Sequence, residues 1–115
     1  MSSISTHVLD TNLGSPAAGI PVCLEIQCDD GSWKSIFQGL TNTDGRVCRL
    51  VPPDATLQHG IYRITFDTSI YFRSKAIDGL YPSISVSFEK KENDVRHFHI
   101  PLLLSPNGYS TYRGS

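Results

Sequence analysis

The stretch DVRHFHIPLLLSPNGYSTYR (residues 94–113) contains two strand patterns separated by a turn. Apolar residues dominate its first part (94–104), and SPNG (105–108) supplies the Asn-Gly pair that two-residue hairpin turns favour. The segment YSTYR (109–113) can then pair back against the first strand. The sequence therefore predicts a β-hairpin, so these late residues belong to a sheet and do not form the frayed tail that is usual at a terminus.

The same period of two recurs along the chain. In GIYRITFDT (60–68), Tyr62, Ile64 and Phe66 share one face, which is typical of a half-buried strand. Turn signals such as DDGS and NTDG separate further alternating segments. The pattern predicts about eight short strands, at 4–11, 20–28, 33–39, 46–50, 60–68, 82–90, 94–104 and 109–113. Short strands with regular turn signals favour an all-β sandwich of two sheets.

One segment departs from this pattern. In SIYFRSKAIDG (69–79) the apolar residues recur near a period of 3.6, and the segment ends in Gly79. We expect one short helix over these residues, with the hydroxyl of Thr68 or Ser69 as its N-cap.

Length and charge argue against several classes of function. A chain of 115 residues is most simply one domain spanning 1–115. Ten basic and 11 acidic residues leave a net charge of −1 without a dense basic cluster, which argues against nucleic acid or a membrane surface as a partner. No apolar run approaches the roughly 20 residues of a membrane span.

The same sequence predicts a cytoplasmic location. The first residues, MSSISTHVLD, lack a basic region followed by an apolar stretch, as a secretory signal requires, and the closing RGS does not match a peroxisomal SKL. The odd number of cysteines, Cys23, Cys28 and Cys48, without CxxC spacing, favours reduced, half-buried thiols. A peroxisomal location through an unrecognised signal stays an alternative.

Two of the four histidines stand one residue apart, in RHFHIP. On a strand, His97 and His99 point away from the core while Phe98 and Ile100 point into it. Such a pair is often plain surface, and it can also be half of a zinc site, but no third Cys or His stands at a recognisable spacing. His7 and Arg46 are also predicted to face outward.

No common catalytic motif accounts for these residues. The sequence contains no GxSxG elbow, no phosphate-binding glycine loop and no dinucleotide fingerprint. The outward imidazoles and guanidinium are compatible with hydrolysis by general base catalysis without a covalent nucleophile. Spacing alone does not choose between that chemistry and a solvated surface.

Four segments together resemble one known family. They are STHVLDTNLGSPAAGIPVCL (5–24), TNTDGRV (41–47), GIYRITFDTSIYF (60–72) and HFHIPLLLSPNGYSTYRGS (97–115). In order and spacing they are similar to the 5-hydroxyisourate hydrolases, transthyretin-related enzymes of purine degradation. The resemblance implies a transthyretin-like sandwich of eight strands in two sheets with one short helix. It also implies a homotetramer, a dimer of dimers whose central channel holds the active sites.

The resemblance also implies which residues form the site. The family's catalytic positions correspond to His7 of THVLD, Arg46 of DGR and His99 beside the proline. Its closing YRGS completes the pocket for the substrate and corresponds to Tyr112, Arg113, Gly114 and Ser115. No metal and no organic cofactor is implied.

The implied reaction is hydrolysis of the lactam bond between N1 and C6 of 5-hydroxyisourate. Its product is 2-oxo-4-hydroxy-4-carboxy-5-ureidoimidazoline, an intermediate of urate degradation. By this resemblance His7 and His99 would position and deprotonate a water molecule, and Arg46 would stabilise charge that develops on oxygen. Which imidazole is the base stays open.

Two alternatives compete with the hydrolase. A transthyretin-like carrier of a small ligand, such as a hormone, would share the fold without catalysis. His7, Arg46, His99 and the closing YRGS mark the enzyme branch of the family and argue against it. A generic β-sandwich interaction module would explain the strands, but it would not explain titratable residues on motifs from separate segments.

Overall fold

The alternating apolar residues form two β-sheets, and a computed structural model describes residues 3–53 and 56–115 of the chain. The strands are β1 (Ile4–Asp10), β2 (Ser15–Pro16), β3 (Pro21–Gln27), β4 (Trp33–Leu40), β5 (Arg46–Val47), β6 (Gly60–Phe66), β7 (Ile84–Lys90), β8 (Phe98–Ser105) and β9 (Gly108–Thr111). The helix α1 (Thr68–Ser74) follows β6 in the chain. One sheet has the order β2-β1-β8-β9, with β5 also paired to β1, and the other has the order β4-β3-β6-β7.

The parallel pair of β1 and β8 is the part of the fold that positions the candidate site. Its register runs from Ile4 opposite Phe98 to Asp10 opposite Leu104. Inward-facing side chains of both strands are buried, among them Val8 and Leu102, each with no exposed surface. Burial of these apolar side chains fixes the register, because a slip of one residue would turn them outward. Ser5, His7 and His99, at the alternate positions, therefore face away from the core.

The second sheet covers the same core. Tyr62, Ile64 and Phe66 of β6 are almost completely buried, as their alternation predicts. The rings of Tyr62 and Phe88 stack at 5.6 Å, and Phe88 lies 5.8 Å from Phe98 of the other sheet. The predicted all-β sandwich of two sheets with one short helix is confirmed.

The predicted C-terminal hairpin is also confirmed, although strand boundaries differ. Ser105 pairs with Gly108, and β9 runs back along β8. Pro106 and Asn107 are therefore the two turn residues, and not the expected Asn-Gly pair, because Gly108 already belongs to β9. The strand predicted from residue 94 begins only at Phe98, because the side chain of Asp94 accepts a hydrogen bond from the backbone N–H of Arg96 at 3.1 Å. Such a local bond competes with the sheet ladder. The strand predicted over 46–50 has two residues, and β2 brings the strands of the described residues to nine, one more than expected.

The predicted ends of the helix are wrong. The N-cap is Asp67, whose carboxylate accepts from the N–H of Ile70, whereas the hydroxyl of Thr68 is buried and donates to the carbonyl of Tyr81. The helix ends at Ser74, not at 79. A residue with positive φ (55°), Ala76, occupies the position that glycine usually takes after a helix, so the sequence carries no stop signal there.

The closing bonds at Ala76 are those of a Schellman motif. Its N–H donates to the carbonyl of Arg73, and the N–H of Ile77 donates to the carbonyl of Phe72 at 2.9 Å. Gly79 instead lies against the Phe72 ring, where an added Cβ would come within 2.6 Å of Cδ2. The absence of a side chain at Gly79 therefore lets the segment after the helix pack against the Phe72 ring.

The cysteines are more exposed than expected. All three are free thiols, but only Cys23 is half-buried, while Cys28 and Cys48 are exposed. Turns place the latter two outside the regular strands, where alternation does not decide burial. In the described part of the chain, no helix combines the length and apolar character of a membrane span.

Candidate active site

The outward face of β1 and β8 collects the polar side chains predicted for the site. Ser5 of β1 is the direct partner of His99 on β8, and His7 lies two residues further along β1. On the opposite edge of β1, His7 pairs with Arg46 of β5. Because alternate residues of a strand share a face, His7 and Ser5 point the same way as His99. The structure thus brings His7, Arg46 and His99 to one sheet face.

Arg46 is placed by the turn that precedes it. Gly45 has φ of 73°, and its carbonyl accepts from the N–H of Val8 at 2.7 Å. A Cβ at Gly45 would lie 2.4 Å from the carbonyl oxygen of Val8, so a side chain there would push the turn off β1. Asn42 closes the turn, because its side-chain oxygen accepts from the N–H of Arg46 at 3.0 Å. The motif NTDGR therefore fixes the backbone of Arg46 beside β1.

A polar cleft of about 270 Å³ opens on this face. Its lining residues come from the start of β1, from β5 and the residue after it, from the histidine pair and from the final residue: Ser5, Thr6, Arg46, Cys48, His97, His99 and Ser115. His7 lies at the side of the cleft and outside this lining. A larger cavity of about 480 Å³ lies on the other sheet, lined in part by Cys23, Leu40 and Asp67, and it contains no imidazole.

Hydrogen bonds connect the imidazoles through a buried hydroxyl. Ser5 Oγ lies 2.7 Å from His97 Nε2 and 2.8 Å from His99 Nδ1. The other nitrogen of His97, Nδ1, is hydrogen-bonded to Ser3 Oγ. The two rings are nearly parallel, 17° apart, with centroids separated by 6.4 Å. Since Ser5 occupies Nδ1 of His99, Nε2 is the nitrogen that this imidazole offers to a ligand.

The surroundings of His99 favour its neutral form. Burial lowers the pKa of His99 from its ordinary value of 6.5, and the charges of Arg46, His97 and His7 lower it further. A neutral imidazole has a free lone pair and can act as a base near neutral pH. The site can therefore supply a base at Nε2 of His99 and a fixed cation, Arg46, at the same cleft.

The predicted pocket residues at the C-terminal end divide into two groups. The N–H of Gly114 donates to the carbonyl of His99 at 2.8 Å, and Ser115 lines the cleft. Tyr112 and Arg113 face away from the cleft and line a separate cavity of about 230 Å³, together with Phe98. Within one chain, therefore, Ser115 lines the cleft and Gly114 bonds to His99, whereas Tyr112 and Arg113 do not line the cleft.

Arg113 anchors this end of the chain from the outside. Its Nη1 lies 2.9 Å from Asp94 Oδ2, and its guanidinium sits 4.1 Å above the centroid of the Phe98 ring. Nη2 also donates to the carbonyl of His97 at 3.4 Å. Hydrogen bonds from Arg96 and Arg113 hold the pKa of Asp94 far below its usual range, so this carboxylate stays ionised. These contacts tie the closing residues to the segment that leads into β8.

Sequence reasoning missed Ser5, Thr6 and Cys48 as members of the cleft, and it treated His97 as surface or as half of a metal site. A signal for Ser5 was present, since it lies two residues before His7 and must share its face. Its contact with His99 required the pairing of β1 with β8. Over the described residues, no group of three or more His, Cys, Asp and Glu side chains is arranged to hold a metal ion.

Comparison with known proteins gives one consistent result. A sequence model of the HIUase/transthyretin family matches residues 4–114. A 5-hydroxyisourate hydrolase of Salmonella typhimurium is 47% identical over 113 residues, which cover 97% of this chain and 80% of that relative.

Solved structures agree. The structure of Klebsiella pneumoniae 5-hydroxyisourate hydrolase has a TM-score of 0.86 and 34% identity, with complete coverage of both chains. Sea bream transthyretin in complex with thyroxine has a TM-score of 0.90 and 28% identity, covering 97% of this chain and 94% of that one.

Proposed function

The chain belongs to the HIUase/transthyretin family, and we propose that it is a 5-hydroxyisourate hydrolase of urate degradation that acts at the cleft between β1 and β8. This proposal rests on one observation: His7, Arg46 and His99 lie on the same face of one sheet. Identity of 47% to a hydrolase supports the activity, since the match covers 97% of this chain.

His99 is the general base in this proposal. Its Nδ1 is held by Ser5, and its lowered pKa keeps Nε2 unprotonated near neutral pH. Nε2 would take a proton from water as the water oxygen attacks the C6 carbonyl of the lactam. General base catalysis of this kind contributes roughly 10²–10⁴-fold to rate.

The remaining residues bind and polarise the substrate. Arg46 lines the cleft and would stabilise the negative charge that develops on the carbonyl oxygen. His7 lies beside it and would orient the water or the heterocycle. Ser115 and the backbone of Gly114 would form the wall against which the planar substrate rests.

We also propose that the protein is a homotetramer in the cytoplasm. The cleft of a single chain is small and open, and a facing subunit would complete it, which supports this assembly indirectly. Tyr112, which faces away from its own cleft, would then contribute to an assembled channel. Three free thiols fit a reducing compartment. Analytical ultracentrifugation tests the assembly, and a monomer at assay concentration would contradict it.

A ligand carrier is the second candidate, favoured by the close structural match to transthyretin bound to thyroxine. Chemistry distinguishes the two. A carrier needs no neutral imidazole beside a cation, whereas the hydrolysis proposed here uses both. Thyroxine binding without turnover of 5-hydroxyisourate would support the carrier and contradict the hydrolase.

The test measures decay of freshly generated 5-hydroxyisourate beside its spontaneous hydrolysis. The wild type should accelerate decay, and His99→Ala should lower kcat by about 10²–10⁴-fold, because the base is lost. His59→Ala is the matched control, since His59 is exposed in a loop away from the cleft, and it should keep full activity. Wild-type decay at the spontaneous rate would overturn the proposed function.

A further inference from the structure

Four side chains form a continuous hydrogen-bonded chain that begins inside the cleft and ends at the surface. His99 is half-buried, Ser5 is 7% exposed, and His97 is exposed. The links are His99 Nδ1 to Ser5 Oγ at 2.8 Å, Ser5 Oγ to His97 Nε2 at 2.7 Å, and His97 Nδ1 to Ser3 Oγ. Every link joins groups that can both donate and accept a proton.

If His99 acts as a base, the number of protons allows only one donor-to-acceptor orientation of these hydrogen bonds. Its lone pair must then be on Nε2, so its single proton is on Nδ1 and is donated to Ser5 Oγ. The hydroxyl proton of Ser5 is free to go only to Nε2 of His97. The proton of His97 is therefore on Nδ1 and is donated to Ser3. All four groups are satisfied in this arrangement.

Lactam hydrolysis gives this chain a proton to carry. The reaction forms a carbon–oxygen bond to water and breaks the carbon–nitrogen bond of the ring. One proton of the water ends on the leaving nitrogen. The other is released, because the carboxylic acid that forms is ionised at neutral pH. One proton must therefore leave the cleft in each turnover.

We propose that Ser5 and His97 form a proton relay that sets the tautomer of His99 and exports the product proton to the surface. This proposal rests on the proposed function. When Nε2 of His99 has gained the proton, Nδ1 passes its own proton to Ser5 Oγ, and the Ser5 hydroxyl passes its proton to Nε2 of His97. His97 releases its Nδ1 proton through Ser3 to solvent, which leaves His99 as the Nε2–H tautomer. Once product has left, Nε2 gives that proton to water in the open cleft and the relay returns one to Nδ1, so the starting tautomer is restored. Both residues are positioning residues, since they act through His99.

The position of the relay also explains why Ser5 is buried beside two imidazoles. Ser5 and His99 are direct partners in the β1–β8 register, so the backbone ladder holds Oγ at the His99 ring. A buried hydroxyl without partners would cost free energy, and these two bonds satisfy it. Arg46 and His7, the other charged or titratable groups facing His99, disfavour a second positive charge there and so favour proton export.

Two substitutions separate positioning from transfer. Ser5→Ala removes the acceptor of the His99 Nδ1 proton, so ¹⁵N NMR of the ring should detect a shift from the Nδ1–H tautomer toward Nε2–H. The same change should lower kcat by up to the roughly 10²–10⁴-fold that general base catalysis contributes, because the Nε2–H tautomer has no lone pair for the water proton. His97→Gln keeps an acceptor for the Ser5 hydroxyl but cannot pass a proton on, so the tautomer should persist while kcat falls.

Exogenous buffer tests the transfer directly. In His97→Gln, added imidazole should raise kcat toward the wild-type value, and the wild type should not respond. A wild-type kcat for His97→Gln in dilute buffer would overturn the export role. An unchanged tautomer in Ser5→Ala would overturn the positioning role. Because NMR needs no turnover, failure of the proposed hydrolase activity and failure of the relay remain distinguishable.

Discussion

The backbone N–H of Gly114 donates a hydrogen bond to the carbonyl oxygen of His99 at 2.8 Å. This bond lays residues 114–115 against the imidazole of the proposed base. The approach is so close that a Cβ at Gly114 would lie 2.5 Å from His99 Cδ2. Glycine at this position is therefore a requirement of the site geometry.

Gly114→Ala should inactivate the enzyme without unfolding it. The added methyl group must displace the His99 ring, which breaks its alignment with Ser5, and a misplacement of about 1 Å can cost roughly 100-fold in rate. Gly108→Ala in the same hairpin is the control, because its Cβ would meet only Ser105 Oγ at 3.8 Å. Steady-state kinetics and thermal melts of both variants check the prediction. Equal activity of the two variants would contradict it.

Burial of His99 and, after it, the charge of Arg46 should determine the pH at which the acid limb of the pH–rate profile lies. The limb should lie below pH 6.5, because the pKa of His99 is lowered and the base works only when neutral. Arg46→Met removes a positive charge that lowers this pKa, so the limb of kcat/KM should move to higher pH.

Arg46→Met should also reduce kcat by about 10²–10³-fold through loss of oxyanion stabilisation. Arg46→Lys keeps the charge and should leave the acid limb where the wild type has it. The pH profiles of kcat/KM for the wild type, Arg46→Met and Arg46→Lys show whether the acid limb moves with the charge. A limb at the same pH in Arg46→Met and in the wild type would rule out this electrostatic role.

The contact of Arg113 with Asp94 should matter more for activity than for stability. Arg113→Met frees the residues that carry Ser115 to the cleft, so kcat/KM should fall by up to roughly 100-fold, the cost that a misplacement of about 1 Å can have. Exposed ion pairs contribute little to folding, so the melting temperature should barely change. Arg96→Met is the matched control, since Arg96 also binds Asp94 but does not touch the closing residues. Parallel losses of activity and stability in Arg113→Met would indicate a purely structural role.

The hydroxyl of Tyr71 should stabilise the fold from the helix side. It donates to Asp10 Oδ2 at 2.6 Å, and both residues are buried. Burial and the adjacent carboxylate raise the pKa of Tyr71 far above its usual range, so it remains a donor at every working pH. Tyr71→Phe leaves a buried carboxylate with one partner fewer, and it should cost about 1–3 kcal/mol in the free energy of unfolding.

Tyr109→Phe provides the comparison for Tyr71, because Tyr109 is 45% exposed. Its unfolding free energy should stay within about 0.5 kcal/mol of the wild type. Urea denaturation of both variants gives the two values. A difference of less than the experimental error between them would show that the bond between Tyr71 and Asp10 contributes nothing net.

Local patterns were sufficient for the strands and for the direction of the histidines. Alternation placed Tyr62 and Phe66 in the core, and it turned His97 and His99 outward, because the side-chain period of a strand is a local property. Local patterns failed at the helix ends. The sequence alone does not rank neighbouring candidates for the N-cap such as Asp67 and Thr68, and it gives no glycine signal for the positive φ of Ala76.

By itself the sequence determined the sandwich, the hairpin at residues 105–108 and the outward faces that carry His7 and His99. Resemblance to a family added the expected roles of these residues. Only the tertiary structure decided that β1 pairs in parallel with β8, and so that Ser5 meets His99 across 94 residues of chain. Pairing between distant strands depends on the burial of the whole core, which no short segment encodes. The hydrogen-bonded chain from His99 to Ser3 exists only because that core closes in one register.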